Sequence, residues 1–213
     1  MAARIERLQT AGTFSLDGGT WEVENNVWIV GDDSEVIVID PAHSSSEVAR
    51  AVGGRRVKAI LLTHGHDDHV RAALDAKAAL GDPPVLLNHA DLMLWEMVHP
   101  GTAPDGDIAD GDEFPVAGVT LRAVHTPGHS PGSTCFILSG AAEGPVVFTG
   151  DTLFNGGPGA TGRSYSSFET IIESIRDRLL SLPEETTVLT GHGDSTSIAA
   201  ESGHLDEWIA RGH

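Results

Sequence analysis

The chain has 213 residues, enough for one well-filled domain or for two sheets covered by helices. Thirteen basic against 31 acidic residues give a formal net charge of -18, which repels phosphate backbones and anionic lipid and excludes nucleic acid and membrane as expected partners. The single cysteine, Cys135, rules out an intramolecular disulfide and sits in an apolar run, as a small core residue would.

No linker, repeat or low-complexity tract divides the sequence, so one domain over residues 1–213 is expected. The first residues lack the apolar stretch of a secretory signal, and no apolar run approaches membrane-spanning length, so a cytoplasmic protein is expected. The oligomeric state is left open. The preference for Arg over Lys and the Ala/Gly content point to a GC-rich bacterial source.

Two short strands are predicted over 26–30 and 35–39, joined by Gly31-Asp32-Asp33. A helix follows over 44–52, capped by one of Ser44 to Ser46, and then a buried-type strand over 57–62. That strand delivers Thr63-His64-Gly65-His66-Asp67-Asp68-His69. The next predicted helix has Asp67 or Asp68 as its cap, Val70, Ala73, Leu74 and Ala78 on one face, and Gly81 as its stop. A short strand over 85–87 precedes a helix over 90–98, on which Trp95 and Met97 read as core. Strands are predicted over 119–124, 133–138 and 146–148. Ser166 and Glu169 have capping-box spacing, and Phe168 to Leu182 keep a helical period until Pro183. A last strand over 187–189 and a helix over 204–210 complete the series. Strand runs with helices at intervals, rather than strict alternation, suggest two sheets with helices outside.

The chemistry is concentrated at strand ends. In an extended segment the rings of His64 and His66 project to one side, and a turn into the helix can bring Asp68 and His69 back to the same place. Three histidines and a carboxylate within six positions would be costly to bury unpaired, whereas imidazole and carboxylate together suit zinc, iron or manganese. Downstream, His129 lies in a Gly/Pro turn, Asp151 follows a buried strand as Gly150-Asp151, and His192 repeats that design as Gly191-His192. Asp40 and Thr63 are candidates to orient ligating rings, or ordinary strand-end caps. Arg163 and Tyr165 follow the Asp151 loop and are candidate substrate contacts. His43, His89, His99, His125, His204 and His213 lack motif support and read as surface or structural.

The series His-x-His-x-Asp-His, followed by His, Asp and His after strands, resembles the metallo-β-lactamase superfamily from about residue 13 onward. Within it, Thr-Pro-Gly-His129-Ser-Pro-Gly-Ser, Gly150-Asp151-Thr-Leu-Phe and Gly191-His192-Gly-Asp-Ser-Thr are most similar to the glyoxalase II branch, the hydroxyacyl-thiol hydrolases. The resemblance implies an α+β fold, a four-layer αββα sandwich with two divalent metal ions at one edge, zinc first and iron or manganese next. It places His64, His66 and His129 on one metal, Asp68, His69 and His192 on the second, and Asp151 between them. Asp67 falls at a variable position and receives no role.

Two cations roughly 3.5–4 Å apart share a water and lower its pKa toward about 7, which suits hydrolysis of a carbonyl compound. Asp68 is the catalytic candidate, to orient that water or pass a proton to the leaving group. The substrate the resemblance implies is a small-molecule thioester. Longer glyoxalase II enzymes carry a C-terminal extension whose basic residues hold glutathione. Few cations follow His192 here, Val-Arg-Ala-Ala follows His69, and Asn155-Gly-Gly-Pro-Gly-Ala follows the aspartate, which favours another thiol such as mycothiol. A lactonase and a persulfide dioxygenase with a single iron are the alternatives. A true β-lactamase is disfavoured by Asp151, where many carry Cys, and by the lack of an export signal. A ribonuclease is disfavoured by charge.

Overall fold

The computed structural model describes residues 2–141 and 144–212. Its first two strands, β1 (Arg4–Leu16) and β2 (Gly19–Gly31), pair antiparallel along their whole length across the turn Asp17-Gly18. Both turn residues have positive φ, 52° and 78°, which a tight two-residue hairpin turn requires and Asp and Gly tolerate. The sequence predicted only the inner end of β2. The outer half of the hairpin is partly exposed on both faces, so no alternation marks it; the Asp-Gly pair is the local signal that does.

Strands β3 (Glu35–Ile39), β4 (Arg56–Leu61) and β5 (Val85–Leu86) complete a five-stranded sheet in the order β1-β2-β3-β4-β5, with the last two pairings parallel. Helices α1 (Ser45–Val52), α2 (Asp67–Val70), α3 (Ala73–Ala79) and α4 (Leu92–Val98) interrupt this half. The second half begins with β6 (Glu113–Val116), β7 (Val119–His125), β8 (Thr134–Ser139) and β9 (Val146–Gly150). A small hairpin, β10 (Leu153–Phe154) and β11 (Gly157–Pro158), and helix α5 (Phe168–Ser174) follow. Then come β12 (Thr187–Thr190), β13 (Thr196–Ser197), α6 (Ile198–Glu201) and α7 (Leu205–Arg211). The second sheet has six strands, ordered β13-β12-β9-β8-β7-β6, with β12 parallel to β9.

The period-two alternation of the strands sets the layers. In β2, Trp28 and Val30 face the second sheet and meet Leu121, Phe136, Phe148 and Leu189. Val27 and Ile29 face the other way, onto Val48 and Val52 of α1, Ala73 and Ala76 of α3, and Trp95 of α4. On the far side, Cys135, Val147 and Val188 pack on Ile171, Ile172, Ile198 and Trp208. Helices, sheet, sheet and helices therefore stack as the αββα sandwich expected, with Cys135 and Trp95 in the core. Full burial of each large apolar side chain contributes about 1.5–3 kcal/mol.

Several local expectations are corrected. The helix after His69 breaks into α2 and α3, with Ala76 rather than Ala78 on the buried face. No side chain caps α2; Asp67 instead accepts from the Ser15 amide at 3.0 Å and pairs with Arg71. The cap of α5 is Ser167, not Ser166, whose hydroxyl turns back to the Arg163 carbonyl. After Ser174 the helix widens into a π turn over Ile175–Leu179. Met97 is 62% exposed, because residues two apart on a helix face nearly opposite ways and Trp95 takes the buried face. His213 lies outside the described residues. Among those residues, no helix is long and apolar enough to cross a membrane.

Candidate metal centre

The strands β4, β9 and β12 all run out at the same edge of the sandwich, and the seven residues singled out in the sequence converge there. Past β4 the chain stays extended through Thr63 and carries His64 and His66. Helix α2 then folds Asp68 and His69 back, its first turn closed by the His69 amide on the His66 carbonyl at 3.0 Å. The turn after β7 supplies His129, the end of β9 supplies Asp151, and a register irregularity at Leu189/Thr190 precedes His192. Such irregularities re-aim side chains beside functional sites.

Candidate ligand atoms of His64, His66 and His129 lie within 4.8 Å of one another, as do those of Asp68, His69 and His192 and those of His64, His69 and Asp151. Asp151 spans both groups. Its Oδ1 lies 3.4 Å from His69 Nε2, and its Oδ2 lies 3.3 Å from His192 Nε2 and 3.6 Å from His129 Nε2.

An acceptor fixes the Nδ1 side of four rings. His69 Nδ1 donates to Asp40 Oδ2 (2.9 Å), His129 Nδ1 to the Ala160 carbonyl (2.8 Å) and His192 Nδ1 to the Glu24 carbonyl (2.8 Å). Thr63 Oγ1 donates to Asp40 Oδ2 at 2.6 Å and so accepts from His64 Nδ1 at 3.0 Å. In each case Nε2 is left for a cation, the pattern by which a neighbour sets the tautomer of a ligating imidazole. Asp40 and Thr63 thus orient ligands rather than merely cap a strand. The fit to a metal is tested by atoms that find no protein partner. His64 Nε2, His66 Nε2 and Asp151 Oδ1 are buried with no hydrogen-bond partner, a costly state that a cation relieves. The cluster also has no room for a side chain at Gly191, whose Cβ would sit 2.2 Å from Asp151 Oδ1.

The electrostatics divide the histidines. Burial and the neighbouring rings hold His64 well below its ordinary pKa, and burial, then His129, lowers His66 to about 3. Burial also opposes charge on His69 and His192, but the surrounding carboxylates outweigh it. Asp68 and Asp151 push His69 up, and Asp151 and Asp68 bring His192 to about 10. Burial raises Asp68, yet His69 and His192 bring it down to about 2.

Four contributors escaped the sequence reading. Asn25 donates to Asp68 Oδ2 at 3.0 Å, and its Oδ1 is 2.7 Å from His43 Nε2, so His43 is not a bystander. Asn26 crosses to the Thr190 and Gly193 carbonyls, both at 3.0 Å. Asp91, fully buried, contacts the loops around Gly65 and Ser130. Two consecutive Asn before an apolar strand was the available signal for the first two, since Asn is depleted in strands; Asp91 had none. The expectation for other histidines holds: His99 and His125 bond carbonyls, while His89 and His204 lie near carboxylates at the surface.

A pocket of about 430 Å³ opens onto His66, Asp68, His129, Asp151 and His192. Its walls are Phe14, Trp21, Val23 and Glu24 of the first hairpin, Phe154, Ala160 and Arg163. The Arg163 guanidinium lies 3.8 Å from the centroid of Trp21 and 5.6 Å from that of Phe14, cation–π contacts that close one side. Tyr165 is 50% exposed and is not among the residues of the pocket wall, so the structure separates the two candidate substrate contacts.

Comparison with known proteins gives the same assignment. The Metallo-beta-lactamase superfamily profile matches residues 20–192. The chain belongs to this superfamily. It is a metal-dependent hydrolase by family and by site, and its two His/Asp groups fit the two divalent cations of metallo-β-lactamase-fold enzymes. It is 34% identical to the hydroxyacylglutathione hydrolase GloC of Haemophilus influenzae, over 84% of this chain and 89% of that one. It is 33% identical to the probable metallo-hydrolase YqgX of Bacillus subtilis, over 84% and 90%. Among solved structures, TTHA1623 in a di-iron-bound form is 32% identical, covers 91% of this chain and 96% of its own, and superimposes with a TM-score of 0.70.

Proposed function

We propose that this protein hydrolyses a thioester of a small thiol, with two divalent cations held by His64, His66 and His129, by Asp68, His69 and His192, and by Asp151 between them. The observation that carries the reading is the reach of Asp151, whose carboxylate lies 3.3 Å from His192 and 3.4 Å from His69 in one group and 3.6 Å from His129 in the other. Zinc is the first candidate, and the di-iron form of TTHA1623 supports iron as the other. Bound there, such cations supply hydroxide near neutral pH and polarise a carbonyl.

The residues of the chain do the rest. Asp40, Thr63, Ala160 and Glu24 hold four imidazoles with Nε2 presented. Asp68, fixed by Asn25 and ionised, faces the pocket and is placed to take the proton released as water adds to the carbonyl and hand it to the departing sulfur, a leaving group that needs little help. Phe14, Trp21, Val23 and Phe154 exclude water around the acyl-thiol, and Arg163 offers its N–H donors to a polar group at its far end. The GloC relative supports the hydroxyacyl-thiol class. A single cation on the pocket wall suits a thiol other than glutathione, such as mycothiol. Release of free thiol from a panel of acyl-thiols, run beside lactones and with and without oxygen, tests the reading. Turnover confined to lactones, or strictly dependent on oxygen, contradicts it. Asp68→Ala is expected to lose more turnover than metal.

A further inference from the structure

We propose that Asp91 is a positioning residue of the His64/His66/His129 group, tying the loop that carries the first two histidines to the loop that carries the third. Those loops come from different sheets: His64 and His66 leave β4, and His129 lies between β7 and β8. Asp91 stands just ahead of α4, fully buried, and its carboxylate joins them. Oδ2 accepts from the Gly65 amide at 2.8 Å and from Ser130 Oγ at 2.6 Å, and Oδ1 accepts from the Gly132 amide at 2.6 Å. Gly65 separates the two histidines of the first loop, and Ser130 is adjacent to His129.

The approach accounts for two glycines. A Cβ on Gly65 would lie 3.0 Å from Asp91 Cβ, and one on Gly132 would lie 2.7 Å from Asp91 Cγ. Among the described residues no cation pairs with Asp91, so the buried charge rests on these three donors. A buried carboxylate is costly without such donors, and an apolar side chain would fill the space without that cost. What the carboxylate adds is a fixed distance between the two loops.

The other histidine group has a separate tie. Asn26 accounts for it, through its side chain on the Thr190 and Gly193 carbonyls and its amide on the Gly191 carbonyl at 2.7 Å. The two ties are separable, which makes the role testable whether or not the substrate is a thioester.

The test is Zn²⁺ or Co²⁺ affinity, by competition with a chromophoric chelator, of chains in which one group has been disabled. In a His192→Ala background, where the His64/His66/His129 group dominates, adding Asp91→Asn is expected to weaken binding about 10–100-fold. In a His129→Ala background the same change is expected to move affinity by less than about twofold, and Asn26→Ala shows the reverse preference. Equal losses in both backgrounds, or none in either, overturn the proposal. Should Asp91→Asn fail to melt cooperatively, Ser130→Ala removes one donor without stranding an amide. It carries the same expectation at smaller size and is overturned by the same results.

Discussion

The Asp40 carboxylate accepts a hydrogen bond from His69 Nδ1 at 2.9 Å, and this contact decides which nitrogen of His69 faces a cation. Asp40 also accepts from the Thr63 amide at 2.8 Å and the Thr63 hydroxyl, so one buried carboxylate organises rings on both sides of the centre. It sits at φ 49°, where Asn is tolerated and a bulkier residue is strained.

Asp40→Asn therefore keeps the backbone and loses the paired acceptors. It is expected to fold with a normal circular dichroism spectrum and to hold metal about 10–100-fold more weakly, read by dialysis against a chelator. Wild-type retention would remove Asp40 from the account.

Loading with metal should release protons unevenly. With His64 and His66 depressed, their nitrogens are already neutral at pH 7, whereas the carboxylates around the His69/His192 pair favour its protonated form in the metal-free protein. Ligating nitrogens must be deprotonated, so filling the Asp68/His69/His192 group expels more protons than filling the His64/His66/His129 group. Calorimetry in buffers of different ionisation enthalpy reads this directly; equal release for both equivalents contradicts it.

The same shifts fix the pH profile of metal-free stability. His192 is raised from 6.5 to about 10, so its contribution is complete below its ordinary value and is lost as pH rises through about 10. Asp68 is lowered from 3.8 to about 2, so its contribution is present above 3.8 and is lost as pH falls through about 2. Buried His64 and His66, held below their ordinary value, cost stability as pH falls below about 6.5, so chelator-stripped protein should melt highest near pH 6.5 and lose stability toward both acid and alkaline pH. Metal-loaded protein, with a cation in place of those protons, should not show the alkaline loss. Parallel alkaline slopes for the two forms would refute the assignment.

Gly191→Ala places a methyl 2.2 Å from Asp151 Oδ1 and 2.9 Å from His69 Cε1. Gly191 does not adopt positive φ, so the backbone tolerates alanine and the damage stays in the site. Turnover should fall about 100-fold or more with the fold intact. Near-normal rates would mean that Asp151 does not need the position it occupies.

Arg163→Ala should raise KM about tenfold for thioesters bearing a carboxylate and leave neutral ones within about twofold, the loss of one charge-assisted contact. Arg163→Lys restores only part of this, since the planar stacking on Trp21 is lost. Equal effects on charged and neutral substrates would assign Arg163 to the wall alone.

What the sequence made legible is what repeats locally. His64, His66, Asp68 and His69 follow an apolar strand in one dense run, and Gly150-Asp151 and Gly191-His192 repeat a strand-end design. Short apolar runs on either side of the Gly31-Asp32-Asp33 turn marked β2 and β3. Asn25, Asn26 and Asp91 were not legible in the same way, because each acts through partners 18 to 167 residues away. The π turn after Ser174 was hidden because apolar spacing continues through it. Met97 read as core on its apolar character, although the helical period sets it on the face opposite Trp95. Arg163 and Tyr165 looked alike in sequence, and only the fold of their loop puts one of them against Trp21.

The most direct test of the central claim measures thiol release from S-lactoylglutathione and simple acyl-thiols, with metal content determined on the same sample. The account predicts about two metal ions per chain and turnover that disappears with chelator and returns with metal. A sample carrying two metals per chain that releases no thiol from any member of the panel would contradict it.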